Sequence, residues 1–243
     1  MSEFILSPNL PTGKIKTVVI GRHSEIIEKL NLLGIETVVL DDNPDIDFSV
    51  RNHADMAVVH IGENNLILDK RQASAAKKLT LLGFNVKFTD ENISGEYPFD
   101  VRLNFAIIGN KLLCGKRSEQ SELSKLPFEK VAVNQGYCRC SVCILNEKAI
   151  ITDDESIFKK CRDIFDVLLI EKGDILLEDK PYGFIGGASV KADKNTVMFF
   201  GSLEYHRDRD KIKEFLKKYG MTYIELFDGP LTDIGSVTAV LQN

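Results

Sequence analysis

A phrase that recurs at the ends of amphipathic helices constrains this chain more than any other feature of its sequence. It reads KLNLLGIETVVL up to Leu40, KLTLLGFNVKF up to Phe88 and FLKKYGMTYIEL up to Leu226. In each copy a glycine (Gly34, Gly83 or Gly220) closes the helix, because glycine takes the left-handed conformation without a Cβ penalty, and an apolar strand follows at once. These glycines are helix stops, not phosphate cradles. A second phrase consists of a small or polar entry, an apolar strand, a turn bearing Asn or Lys, and another apolar strand. Its copies are HADMAVVHIGENNLILD, RLNFAIIGNKLLCG, YCRCSVCILNEKAIITD, IGGASVKADKNTVMFFG and a truncated TDIGSVTAVLQN. Paired β-rich runs around Asn and Gly read as hairpins.

Aligned on their apolar positions, these copies put Asp55, Asn104, Cys138, Gly186 and Asp233 at equivalent strand entries. The entries recur roughly every 48 residues with one shorter interval, a period that signals stacked or circular repeats. The last copy stops after its first strand, and the chain begins with KIKTVVIGRHSEIIEKLNLLGIETVVL, which supplies the second strand, helix and third strand of that same copy. Val237–Leu241 is therefore expected to pair beside Thr17–Ile20, which would remove an exposed sheet edge.

The expected fold class is α/β: a five-fold pseudo-symmetric α/β propeller closed by pairing of the N- and C-terminal strands. One domain over 1–243 is expected, with units at 47–99, 100–134, 135–182, 183–229 and 230–243, the last completed by 14–46. Apolar residues at helical spacing place connectors at Ser24–Leu33, Gln72–Leu82, Glu155–Phe165 and Asp208–Tyr219, with Ser24 and Asp208 as N-caps. The connector Arg117–Leu126 is less apolar and precedes Pro127, so a short or irregular helix is expected there.

Composition narrows the function classes. At 243 residues and 44% hydrophobic, the chain can bury a sizeable core, and 28% charged residues is ordinary for a soluble protein. A net charge of −5 disfavours a broad basic face, and with it nucleic acid as a partner. No apolar run approaches the roughly 20 residues that span a bilayer, and MSEFILSPNLPTGK lacks the features of a secretory signal. The expected location is the cytoplasm, with no membrane partner. Five cysteines (Cys114, Cys138, Cys140, Cys143 and Cys161) lie in strand-like or amphipathic helix-like segments, which suits reduced thiols better than a disulfide framework.

Five strand-helix-strand units with a split first and last unit resemble the pentein, or guanidino-group-modifying enzyme, fold of arginine deiminases, dimethylarginine dimethylaminohydrolases and amidinotransferases. The resemblance covers essentially the whole chain. GFIGGASVKADKNTVMFFGSL is similar to the fourth-unit hairpin of the dimethylarginine hydrolases, and DGPLTDIGSV to their final entry, where a Leu-Thr pair leads into a cysteine and a Ser-Val strand. HADMAVV sits where the family has an acidic residue before an apolar strand. A narrower expectation is an uncharacterised bacterial, clostridial-type branch. The resemblance implies a cysteine nucleophile at the last entry, a third-unit histidine for proton transfer, and carboxylates that hold the guanidinium.

Asp55 matches the first-unit acidic residue, but Asp233 stands at the nucleophile's place and Tyr137 near the histidine's. No histidine lies between His60 and His206. The usual chemistry is therefore not expected, whereas the fold is unaffected. A relocated nucleophile at Cys140, activated by Arg139, is the alternative catalytic reading. The ligand-binding candidates are Asp55, Arg102, Asn104, Gln135, Tyr137, Gly186, Gly187 and Asp233.

Each candidate also has a structural reading. For Asp55 and Asp233 that reading is a turn cap, and for Gly186 and Gly187 a point of close packing. Cys140 and Cys143 have zinc-motif spacing, but a strand reading puts Cys138 and Cys140 on one face and Cys143 on the other, so no metal and no cofactor are expected. His53 and His206 read as surface or capping residues, and His60 as a satisfied, partly buried core histidine. Gly21 in VVIGRHSE lacks a full nucleotide-binding fingerprint. The function expected from sequence is binding of a small polar or cationic, guanidino- or amidino-type ligand in an axial cavity. A macromolecular interaction module is a further alternative, since one non-catalytic branch of the fold binds ribosomal subunits. Oligomeric state is not legible.

Overall fold

The computed structural model describes residues 2–95, 97–118 and 122–243. Among these, four three-stranded sheets repeat one pattern in which a hairpin is followed by a crossover to a third strand. Their strands are Val58–Gly62, Asn65–Leu68 and Asn85–Phe88; Ala106–Ile108, Lys111–Gly115 and Glu129–Val133; Val142–Asn146, Ala149–Thr152 and Asp166–Leu169; and Ser189–Asp193, Thr196–Phe199 and Thr222–Glu225. In each sheet the first two strands are antiparallel and the last two parallel.

A fifth sheet is assembled from both ends of the chain. Thr238–Gln242 pairs antiparallel with Ile15–Ile20, which pairs parallel with Glu36–Val39, and Glu3–Phe4 adds to the other edge. The register Thr238↔Val19 and Leu241↔Thr17 is the pairing expected from the truncated last copy. Two short parallel strands, Ile175–Leu176 and Leu231–Thr232, tie the approach to the fourth sheet to the approach to the fifth.

The helical connectors are Ser24–Leu32, Ala73–Leu81, Glu155–Cys161 and Arg209–Lys218. Their buried residues, such as Ile26 and Leu30 or Ile212, Phe215 and Leu216, keep the three-to-four spacing of one helix face. Gly34, Gly83 and Gly220 close the first, second and fourth of these helices at φ of +75°, +93° and +62°, the conformation for which glycine was read. The capping residues differ from expectation. His23 stands at the first N-cap without a side-chain cap, and Asp208 makes no cap bond because its Oδ2 accepts the Glu171 N–H instead. Asp154 caps the third helix, accepting from the N–H groups of Ser156 and Ile157. The expected connector over 117–126 lies partly outside the described residues; its described parts are 3₁₀ turns at Lys116–Ser118 and Glu122–Lys125.

The core is divided among the junctions between neighbouring sheets. Val59 and Ile67 of the first sheet pack with Ile107 and Leu112 of the second, Leu113 and Val131 of the second with Val142 and Ile150 of the third, and Leu145 and Ile151 of the third with Val197 and Phe199 of the fourth. Met198 of the fourth joins Val18 and Ile20 of the fifth, and Val19 and Val240 of the fifth join Val58 and Leu66 of the first. Each fully buried side chain of this size contributes about 1.5–3 kcal/mol, so the sheets are held to one another by side-chain burial and not by a shared hydrogen-bond ladder. All five cysteines are buried and none is in a disulfide. No helix among the described residues is long and apolar enough to cross a membrane.

Candidate functional site

Segments leading into the five sheets meet in one buried polar cluster. The short helix Ala54–Ala57 carries Asp55, whose N–H donates to Gly235 O at 3.2 Å. A turn closed by Ser141 N–H to Tyr137 O (3.0 Å) leads into the third sheet. This turn overturns the strand reading of the cysteines. Cys138 and Cys140 do not share a strand face: Cys138 donates from Sγ to Gln135 O and packs with Ile157 and Cys161, whereas Cys140 donates from Sγ to Asp55 Oδ2 at 2.9 Å. Asn104 clamps the same turn, donating from Nδ2 to Cys140 Sγ at 3.1 Å and accepting the Arg139 N–H at 2.8 Å.

Arg139 is buried and spans three sheets' entries. It donates to Ser236 Oγ at 2.7 Å, Gly186 O at 3.2 Å and Val142 O at 3.4 Å. Ser236, at φ +56°, donates onward to Ser189 O at 2.8 Å. A serine holds this left-handed conformation only where its surroundings fix it. Asp233 accepts the Gly235 N–H at 3.0 Å and the Phe184 N–H at 2.9 Å. A Cβ on Gly187 would lie 1.8 Å from Asp233 Oδ1, and one on Gly186 would lie 2.4 Å from Arg139 O. Both glycines therefore permit close packing.

His53 is the main site residue that sequence reasoning misplaced. It is 2% exposed, its Nδ1 lies 3.8 Å from Asp233 Oδ1, and Gly235, at φ +70°, fits against its Cβ. It occupies an N-cap position but makes no side-chain cap, because the final entry folds over it. His206 is likewise buried and not at the surface, with Nδ1 accepting the Asp208 N–H. His60 is the expected core histidine, bonded to Glu63 O at 2.8 Å.

A cleft of about 250 Å³ opens onto this cluster. His53, Cys140 and Asp233 line it, together with Tyr137, Tyr182, Phe184, Asp47 and Lys180. The Tyr137 and Phe184 rings are stacked at 6.4 Å with planes 23° apart, and Tyr182 meets Phe184 edge-on. Tyr137 is fixed by its hydroxyl donating to Asp100 Oδ2 at 2.7 Å. The structure thus gathers Asp55, Asn104, Arg139, Cys140, Gly186, Gly187 and Asp233, with Tyr137 at the edge. It leaves two candidates outside: Gln135 donates to Asp154 and lines a separate depression with Tyr97 and Lys116, and Arg102 pairs with Glu91. Tyr182 and Phe184 were missed, although aromatics just ahead of the Gly-Gly entry were their signal.

Burial sets the charges. It pushes the Asp55 carboxyl up to about 8, with Asp233 adding to the shift and the Cys140 hydrogen bond and Arg139 opposing it. Asp233 is raised to about 6 by burial, held back by the N–H groups of Gly235 and Phe184. Burial drops His53 to about 3, so its ring is neutral. The Cys140 thiol is pushed well above its usual range by burial, then by Asp55 and Asp233. That is the reverse of an activated nucleophile, and Arg139 directs its guanidinium to carbonyls and Ser236 instead.

Comparison with solved structures shows the same fold. An agmatine deiminase of C. jejuni matches at a TM-score of 0.59 with 11% identity, over 100% of this chain and 97% of that one. An inosamine-phosphate amidinotransferase from Streptomyces griseus matches at 0.57 with 11% identity, over 98% and 97%. DDAH from Pseudomonas aeruginosa matches at 0.51 with 9% identity, over 91% and 98%. The chain thus has the pentein fold of guanidino-group-modifying enzymes, as its repeats led us to expect. No curated protein matches it. Residues 18–238 match the model of a family of unknown function, DUF6873, and the chain belongs to that family.

Proposed function

We propose that this protein binds a small cationic ligand of the guanidino or amidino class in the cleft above Asp233, without the hydrolase chemistry of its structural relatives. The observation that carries this reading is a buried carboxylate at the floor of an aromatic-walled cleft. Both Asp233 oxygens already accept one N–H each, and each keeps a lone pair for a planar cation. The stacked Tyr137 and Phe184 rings and Tyr182 suit the flat face of such a cation. Asp47 lies at the same cleft, paired with Lys180 at 2.7 Å.

Asp233 itself argues against the relatives' covalent chemistry, because it stands where the resemblance places the attacking cysteine. Cys140, the remaining thiol at the cleft, is 1% exposed and held protonated by its neighbours. We also read 1–243 as one domain whose five units form a closed ring around this cleft. The pairing of the chain ends and the apolar junction between the fifth and first sheets support the ring. Five cysteines without a disulfide favour a reducing compartment such as the cytoplasm.

The test incubates the protein with arginine, agmatine and methylated arginines, following thermal stability and release of ammonia or amine in the same samples. Stabilisation without release is expected. Turnover abolished by Cys140→Ser would replace this reading with a relocated nucleophile.

A further inference from the structure

The cluster beneath the cleft holds a donor set that ligand binding in the cleft does not use. His53, Asp55 and Cys140, all buried, each offer one ligand atom, and these atoms lie within 4.8 Å of one another. We propose that His53, Asp55 and Cys140 form a three-ligand site for a divalent transition metal of the zinc type, with its fourth position facing the cleft. This donor set differs from the Cys140 and Cys143 pair that sequence spacing picks out.

Four observations carry it. First, a ring nitrogen, a carboxylate oxygen and a sulfur are the mixed donors that a borderline-soft divalent ion takes, and three protein ligands with one open position is the arrangement of reactive zinc sites. Second, two of the buried polar atoms are unsatisfied: His53 Nδ1 and Asp55 Oδ1 have no hydrogen-bond partner. Orphaned buried polar atoms are uncommon, and an ion is one of the groups that explains them. Third, an outer partner is in place: Asn104 donates to Cys140 Sγ at 3.1 Å, and hydrogen-bond donors to the sulfur tune such a ligand. Fourth, His53 and Cys140 line the cleft whereas Asp55 is not among its lining residues, so the open coordination position falls on the solvent side.

The adjustment required is small. Zinc–ligand bonds of about 2.0–2.3 Å put neighbouring donors about 3.5 Å apart. No pair of the three donor atoms is more than 4.8 Å apart, so the widest pair closes by about 1 Å. His53 and Asp55 sit at the start of the same short helix, so they move together. On binding, Cys140 and Asp55 enter as thiolate and carboxylate, their protons passing to solvent as the sulfur and a carboxylate oxygen form the metal bonds. The charges then balance: two on the ion and one on Arg139 against one each on Cys140, Asp55 and Asp233.

The proposal is independent of the cationic-ligand reading, and its test contains no amidino compound. Chelator-stripped protein is loaded with Zn²⁺ or Co²⁺ alone, passed through metal-free buffer, and assayed for bound metal and absorbance. We expect one equivalent of metal per chain and, with Co²⁺, a thiolate-to-cobalt charge-transfer band. The band should vanish in Cys140→Ser, weaken in His53→Gln and persist in Cys143→Ser, with circular dichroism confirming that each variant is folded. Wild-type protein that retains no Zn²⁺ and shows no band, or a band that survives Cys140→Ser, would overturn the site. Because the wild-type measurement alone can reject it, the proposal does not depend on the variants folding.

Discussion

The Cys140 thiol donates to the Asp55 carboxyl at 2.9 Å, joining the entries of the first and third sheets within a pocket where neither side chain is more than 3% exposed. A thiol so placed is a donor to a carboxyl group, not a thiolate. All five cysteines should therefore resist alkylation of the native metal-free protein at neutral pH and react only on unfolding. Mass spectrometry after brief iodoacetamide treatment, with and without denaturant, checks this; rapid native labelling of Cys140 would contradict it.

Close packing of Gly187 against Asp233 leaves no room for a methyl group. With the added Cβ 1.8 Å from Asp233 Oδ1, Gly187→Ala should destabilise the fold by at least about 1–3 kcal/mol and displace the carboxylate from the cleft. Urea unfolding read beside ligand binding would register both losses. Gly220→Ala, where a Cβ meets nothing within 4 Å but φ is +62°, should cost only the backbone strain.

Arg139 bonds to three acceptors, so its removal costs more than the loss of any one of them. Removing its guanidinium takes a donor from Ser236 Oγ and from the Gly186 and Val142 carbonyls and removes a cation that acts on Asp233. Arg139→Ala is expected to destabilise by about 3–5 kcal/mol, and Ser236→Ala by about 1 kcal/mol. Chemical denaturation of the two variants would test that ordering.

Asp153 gives the fold a pH dependence away from the proposed site. Both its oxygens are buried, and burial raises its carboxyl to about 7, against the pull of Lys172 and the Ile185 backbone and with a push from Asp233. A raised folded value means the native state holds the proton more tightly than the unfolded chain. Its stabilising contribution is complete below about pH 4 and is lost as pH rises through about 7. Asp153→Asn should therefore be more stable than wild type at pH 8 by roughly 1–3 kcal/mol, the advantage shrinking toward pH 4. Paired melting curves across that range measure it, and a constant difference would contradict it.

Much of the fold was legible because it is written in local chemistry. Helix-closing glycines at Gly34, Gly83 and Gly220 and apolar runs broken by Asn-bearing turns are short-range signals, and the split copy at the chain ends predicted the pairing seen at Thr238↔Val19. The site was only half legible. Asp55, Asn104 and Asp233 were found because equivalent entries of a repeat must converge. His53 was missed because its burial depends on Gly235 and Asp233, far along the chain, and nothing in its own segment records them. The cysteine turn was misread because YCRCSVCIL alternates like a strand, whereas Asn104 and Arg139 bend its first half. Arg102 and Gln135 sit near entries in sequence, but their side chains turn to Glu91 and Asp154.

The central claim is that Asp233 serves as a cation acceptor where the relatives' nucleophile is expected. Isothermal titration of agmatine and of arginine into wild-type protein and Asp233→Asn, with ammonia and amine assayed in the cell afterwards, addresses it most directly. The account predicts saturable binding to wild type, loss of at least about tenfold in affinity for Asp233→Asn, and no released product from either. Product release by the wild type, or binding that Asp233→Asn leaves unchanged, would contradict it.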